Sequence, residues 1–203
     1  MPGDTAPADS APADAIVTSA SRGDRARFRS RARLEELAAS LPPPPRDRGT
    51  VRLLLRRLHR GVRDHPAAVC LDVSQGMPGD AWGRRLRRSL DNQLTLIRAD
   101  LAEIIANGQP LGLFGDNIFV DLDLSTGNLP PGSRLRLGRA IIEVTGRPHD
   151  GCRKFRARFG ADALAFVQDR RTRAENRRGI HARVVHGGVL AVGDPVAVLT
   201  RGG

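Results

Sequence analysis

The residues best placed to do chemistry lie in one stretch, Gly146-Arg147-Pro148-His149-Asp150-Gly151-Cys152-Arg153-Lys154-Phe155. Its cysteine follows a β-rich run, sits in a Pro/Gly turn and opens a segment of helical spacing. A helix N-terminus carries partial positive charge, and Arg147, Arg153 and Lys154 add full charges, so these surroundings favour a thiolate. The thiolate is the form that ligates a metal or attacks an electrophile. The alternative is a small buried apolar residue, the usual fate of a free cysteine. Cys70, between Val69 and Leu71 in an apolar run, reads as core. His149 and Cys152 make a His-x-x-Cys pair, but no second pair follows at similar spacing. His181 and His186 fall on opposite faces of a continuous strand, which argues against zinc. His149 then either orients the cysteine loop or is exposed in the turn. Arg147, Arg153 and Arg178 lie near glycine turns and suit a phosphate, whereas the arginines at 84–88 and 170–178 read as solvated surface.

Several chemistries are excluded. The sequence has no Gly-x-x-x-x-Gly-Lys-Ser/Thr loop, no Gly-x-Gly-x-x-Gly after a strand, no His-Glu-x-x-His and no Gly-x-Ser-x-Gly elbow. Two cysteines cannot supply an iron–sulfur cluster or a disulfide framework, and a reducing cytoplasm is the expected setting. No run of apolar residues is long enough to span a membrane, and no secretory leader pattern is present. The formal net charge is +11, but all the bases except Lys154 are arginine and tyrosine is absent. That skew runs through the whole chain, so the charge alone does not point to nucleic acid. The charge is uneven: residues 22–63 carry 13 arginines against four acids, while 104–146 are close to neutral.

The elements that must position the cysteine follow from periodicity. With 203 residues, 40% of them apolar, the chain suits one domain with an extension. Residues 1–21 repeat Ala-Pro-Ala-Asp and read as disordered. Leu34, Leu37, Ala38 and Leu41 mark a short amphipathic helix, and Pro42 to Pro45 read as a stiff spacer, so 1–49 is expected to precede a folded domain of 50–203. Alternation predicts strands at Val51 to Leu55, at Ala68 to Val73, over 117–124 and over 134–145 on either side of Gly138-Arg139; Gln93 to Ile97 is a further candidate. Asp100 to Ala106 and Cys152 to about Asp169 have helical spacing, and Ile180 to Val185 with Val189 to Leu199 reads as a closing hairpin. Short strands with a few helices predict a mostly-β barrel.

Six short motifs then occur in a recognisable order. They are Gly76-Met77-Pro78-Gly79-Asp80, Gly115-Asp116-Asn117-Ile118, Leu129 to Gly138, Pro148 to Cys152, Arg178 to Val184, and Val192-Gly193-Asp194-Pro195-Val196. Together they make residues 50–199 resemble a MOSC domain, the module at the C-terminus of molybdenum cofactor sulfurases and in related stand-alone proteins. The resemblance implies a β-barrel-like fold that binds the molybdopterin form of the molybdenum cofactor, with Cys152 as the molybdenum ligand. Charge and position assign Arg178, Arg147 and Arg153 to the cofactor phosphate, and His149 and Asn117 complete the expected cofactor-binding set. Relatives such as the mitochondrial amidoxime-reducing component reduce N-hydroxylated compounds with electrons from a partner. An oxidoreductase acting on a small molecule with a separate electron-donor protein is therefore expected. Here Pro-His-Asp-Gly precedes the cysteine, where many relatives have proline directly before it, which resembles a stand-alone subgroup. The desulfurase region of the sulfurases does not occur in the sequence, so pyridoxal phosphate is not expected. One alternative is a sulfur carrier with a persulfide on Cys152. The other is a nucleic-acid binder using the arginine-rich 22–63 region, where Phe28 is the only aromatic available for base stacking.

Overall fold

The computed structural model describes residues 15–18 and 22–203. The expectation of disorder over 1–21 lies outside the described residues, except at 15–18. There Ala-Ile-Val-Thr forms strand β1 (Ala15–Thr18), its β-branched residues fitting an extended backbone. There follow α1 (Arg31–Ser40), β2 (Arg48–Leu54), β3 (Arg56–Arg57), β4 (Val62–His65), β5 (Ala68–Leu71), β6 (Leu94–Arg98), α2 (Ala99–Ala106) and β7 (Ile118–Val120). The chain continues through β8 (Arg134–Leu137), β9 (Ala140–Val144), α3 (Arg153–Phe159), α4 (Ala161–Val167), β10 (Ile180–His186), β11 (Gly188–Ala191) and β12 (Pro195–Thr200). Seven strands close a barrel in the order β10-β6-β7-β2-β12-β8-β9, as the alternating pattern predicts, and closure leaves no barrel edge unpaired. Among the described strands, only β6 and β7 run parallel.

Burial explains that parallel pair. Leu94, Leu96, Ile118 and Val120 point into the barrel, joined by Val51, Leu54, Leu135, Leu137, Ile142, Val184 and Val196. The alternate residues Ile97 and Phe119 point outward into a second core. That core is built with Leu34 of α1, Leu101, Ala102 and Ile105 of α2, Phe155 and Phe159 of α3, and Phe166 of α4. Strands covered on both faces lose their alternation and read as apolar runs, which is why Gln93 to Ile97 carries so weak a pattern. In β2 the expected alternation of Val51, Leu53 and Leu55 is broken by a register shift between Val51 and Leu53 opposite β7, so Leu54 joins Val51 inside the barrel.

Four expectations need correction. The helix expected over 152–169 is two helices, because Gly160 adopts φ +96 and a Cβ there would meet the Phe28 ring at 2.9 Å. The closing hairpin does not form: β10 pairs with β9 and β6, and β11 leaves the barrel to pair with β5. Gly188 makes that departure possible, since a Cβ there would lie 2.7 Å from the Arg139 backbone. Cys70 is exposed rather than core, because on β5 the inward positions are Val69 and Leu71. Finally, 22–49 is not a separate extension. Leu34 is fully buried among the helices, the Glu35 carboxylate accepts from Arg177 Nη1 at 2.9 and 3.0 Å, and the Pro45 carbonyl accepts from Asp123 N at 2.8 Å.

The docked helix has a measurable consequence. Leu34→Ala should lower unfolding free energy by about 2–4 kcal/mol, the range for an emptied leucine site in a packed core. Denaturant titration checks this; a loss below about 0.5 kcal/mol would mean that α1 is held only at the surface.

Candidate functional site

The site is organised around β6. In the barrel, Ile180 of β10 and Ile118 of β7 both register with Leu96 of β6, one on each side. Arg178, just before β10, and Asp116, just before β7, flank β6 on its two sides, and the long Arg178 side chain spans the separation between them. Arg178 Nη1 donates to Asp116 Oδ2 at 2.6 Å, and both side chains are buried. The approach requires Gly179, which has φ +97 and whose Cβ would stand 2.1 Å from the Leu96 carbonyl oxygen. The other Asp116 oxygen lies 3.5 Å from His149 Nε2, and His149 stacks on His181 with ring centroids 4.4 Å apart. His181 Nδ1 donates to the Arg147 carbonyl at 3.2 Å, which fixes its tautomer and ties the 146–150 loop to β10.

A second buried acidic residue, Asp80, holds Arg57. Asp80 Oδ1 accepts from Arg57 N at 2.8 Å and Nε at 2.9 Å, and its Oδ2 accepts from Arg57 Nη2 at 2.5 Å and Trp82 N at 2.9 Å. Burial pushes the Asp80 carboxyl up, but Arg57 more than offsets this and holds it below the usual carboxylate range. Arg57 sits directly opposite Arg63 across the β3–β4 pair, an unfavourable cross-strand juxtaposition. Burial, then the charges of Arg158 and Arg57, push the Arg63 guanidinium down to about 10. Arg158 is also depressed, first by burial; the charge of Cys152 acts in the opposite direction and that of Arg178 in the same one. Arg63, Arg158 and Arg178 each leave Nε without a hydrogen-bond partner among the described residues, and so does His149 Nδ1.

Arg178 and His149 also line a cleft of about 200 Å³, bordered by Gly146 to Asp150 and by Arg173, Arg177 and Gly179, whereas Arg57, Arg63, Asp80 and Arg158 lie outside its lining. Cys152 is exposed at the N-cap of α3, beyond the lining of that cleft, and its side chain makes no capping bond. An array of buried guanidinium groups with free N–H, beside an exposed thiol, is chemistry for an anionic ligand that also carries a thiophilic centre.

The MOSC domain profile matches residues 80–197, more than half of the chain. The chain belongs to the MOSC domain family. Among solved structures the domain is similar to YuaD from Bacillus subtilis, with TM-score 0.51, 20% identity and coverage of 74% of this chain and 95% of that one. It is also similar to a hypothetical protein, with TM-score 0.55, 18% identity and coverage of 76% and 68%. YiiM from Geobacillus stearothermophilus aligns with TM-score 0.49, 16% identity and coverage of 79% and 77%. The first two likenesses share the fold. No curated protein sequence matches the chain. MOSC domains are associated with the molybdenum cofactor. The profile begins at Asp80, yet this MOSC barrel cannot close without β2 at Arg48–Leu54.

The structure treats the sequence-predicted residues differently. Arg178 and His149 are together in the buried cluster. Arg147 borders the cleft with an exposed side chain, and Arg153 is exposed at the start of α3 beside Cys152. Asn117 is fully buried, and its side chain is engaged within the barrel, accepting from Thr95 N at 3.2 Å and Thr95 Oγ1 at 3.1 Å. Arg57, Arg63 and Arg158 escaped sequence reasoning, while Asp116 appeared there only within a motif and His181 only as an argument against zinc. For Arg158 a signal existed, since three residues after Phe155 it shares the apolar face of α3 with Phe159.

His149 is held neutral: burial lowers its pKa well below the usual value, and the charges of Arg178, His181 and Arg57 add to that. A folded-state value below the unfolded one means that the unfolded chain binds more protons as pH falls through about 6.5, so stability is lost on acidification. His149→Asn should therefore flatten the decline in melting temperature between pH 7 and pH 5. Thermal melts across that range check this, and an unchanged slope would mean that His149 does not contribute.

Proposed function

We propose that this MOSC protein binds the phosphorylated molybdopterin form of the molybdenum cofactor and acts as an oxidoreductase on N-hydroxylated or similar small molecules. The observation that carries the reading is the trio of buried arginines, Arg63, Arg158 and Arg178, each with an orphaned Nε and two of them with depressed pKa values. Such a cluster is unfavourable until an anion enters, and a phosphate fits guanidinium donors geometrically. Arg158 and Arg178 would hold the phosphate, with Arg147 at the rim, and Cys152 would ligate the metal.

When bound, the cofactor supplies two-electron oxygen-atom exchange at its metal. The chain's own residues do the rest. Asp116 keeps Arg178 aimed at the ligand and faces His149 Nε2. With that nitrogen protonated, His149 Nδ1 offers a lone pair to the cleft, an acceptor for a ligand N–H or O–H. Reduction of an N-hydroxyl group takes two electrons and two protons and releases water, and the electrons would come from a separate donor protein. The exposed Cys152 thiol also favours a second reading, a sulfur carrier bearing a persulfide.

Expression in a host that makes the cofactor, followed by molybdenum and pterin analysis per chain, separates the readings. The expected result is near-stoichiometric metal and pterin in the parent protein. Cys152→Ala should lose metal while keeping pterin, and Arg158→Gln should retain pterin about tenfold less well, the scale of one lost charge-assisted hydrogen bond. Neither metal nor pterin in the parent protein would overturn the oxidoreductase reading and leave the carrier.

A further inference from the structure

We propose that the loop Gly83–Arg88 is the docking site for the acidic face of a small electron-carrier protein. The segment reads Gly83-Arg84-Arg85-Leu86-Arg87-Arg88, and every residue in it is exposed, Leu86 completely so. The surface elsewhere carries many Arg–carboxylate pairs, yet none of these four arginines has a carboxylate within ion-pair distance among the described residues. A cluster of unneutralised guanidinium groups around one apolar tip has the composition of a protein-docking centre and creates a field that steers an acidic partner.

The loop is built to be rigid. Trp82 is buried beneath it, and its indole Nε1 donates to the Ser89 carbonyl at 3.2 Å and to Asn92 Oδ1 at 3.1 Å, closing the loop across its base. Arg88 lies 5.3 Å over the same ring. Successive turns from Asp80 to Arg85 hold the ascending limb, with Gly83 N donating to the Asp80 carbonyl at 3.1 Å, Arg84 N to the Ala81 carbonyl at 3.3 Å and Arg85 N to the Trp82 carbonyl at 3.1 Å. The loop also joins the candidate site. Arg84 Nη1 donates to the Gly79 carbonyl at 2.6 Å and Nη2 to the Arg57 carbonyl at 2.8 Å, and Arg57 grips Asp80 in the wall of the arginine cluster. A carrier seated here would lie beside the groups proposed to hold the cofactor. Nucleic acid is less suited, because Gly83–Arg88 contains no aromatic residue and the adjoining Trp82 ring is buried, which leaves the loop no ring for base stacking. A single leucine is also a small anchor for a lipid surface.

The inference rests on the donor-dependent reading above, and its test is a binding measurement that does not need turnover. The full chain is immobilised and titrated with an acidic [2Fe–2S] ferredoxin and an acidic flavodoxin at low and high salt. Parallel arms use a single-stranded RNA and vesicles containing phosphatidylglycerol. The variants are Arg85→Glu with Arg87→Glu, Leu86→Asp alone, and Arg136→Glu on the outer face of β8 as a charge control. Arg84 is left intact because it braces Arg57. The expected result is salt-sensitive binding of an acidic carrier, weakened at least about tenfold by the paired reversal and by Leu86→Asp but little by Arg136→Glu, with unchanged melting temperatures. Equal weakening by Arg136→Glu, no weakening by either loop variant, or no binding of either carrier would overturn the proposal. So would loop-dependent binding of RNA or vesicles in place of the carriers. Docking that holds in a protein without pterin would leave this inference standing while the oxidoreductase reading fails. Turnover with a small-molecule reductant, together with carrier binding indifferent to the loop, would do the reverse.

Discussion

The Asp116–Arg178 pair is the contact on which the rest of the site depends. A lone carboxylate or guanidinium in this position would be prohibitive, since each is almost wholly withdrawn from water. Together they are tolerable, and the pairing determines which other groups can assemble around them. Asp116 has only two oxygens, and one is committed to Arg178. The other faces His149, so that histidine lies beside a negative charge, while burial first and then the Arg178 charge lower its pKa. Arg178 in turn lies 5.1 Å over the Phe155 ring, which links the barrel end to α3 and hence to Cys152. One ion pair thus couples β7, β10, the 146–150 loop and the helix that carries the thiol.

The barrel supplies the stiffness this arrangement needs. Leu96 is fully buried and registers with Ile118 on one side and Ile180 on the other, so Asp116 and Arg178 cannot slip relative to each other without breaking two ladders. A shift of one residue would also turn the apolar set of β6 from one core into the other. The helices lock the outer face: Ile97 and Phe119 pack beneath α1 to α4 along with Phe155 and Phe159. Removing α1 would therefore loosen the floor on which Arg158 stands, and would also take away the Glu35 carboxylate that holds Arg177 at the border of the cleft.

How much of this was legible in the sequence depends on whether the signal was local. The barrel, the α2 helix with its left-handed Asn107 cap and the inward set Ile118, Val120, Leu122 and Leu124 follow from periodicity, because each is fixed by neighbours along the chain. The broken helix at Gly160 and the departure of β11 toward β5 are set by close approaches of Phe28 and Arg139, which no local pattern announces. The same divide runs through the site. Arg178 and His149 stand out beside glycine turns. Arg57 and Arg63 do not, because among 32 arginines nothing in the composition distinguishes a buried guanidinium from a solvated one. Asp116 is visible only as part of a motif, beside Asn117, whose amide closes hydrogen bonds inside the barrel.

The cluster also bears on why folding and binding should be coupled here. Arg57 is answered by Asp80 and Arg178 by Asp116, but Arg63 and Arg158 face one another's charge with only backbone carbonyls as partners among the described residues, Gly61 for one and Leu113 for the other. The fold therefore carries two buried cations whose charged forms it disfavours, and the apolar packing of the two cores offsets that penalty. An anion that entered would relieve it, and by mass action anything that binds the folded state alone stabilises that state. The unfavourable electrostatics of the empty cluster and the affinity for an anionic ligand are thus two aspects of one arrangement. A carboxylate placed to neutralise Arg63 or Arg158 would make the domain more stable and the site less able to bind.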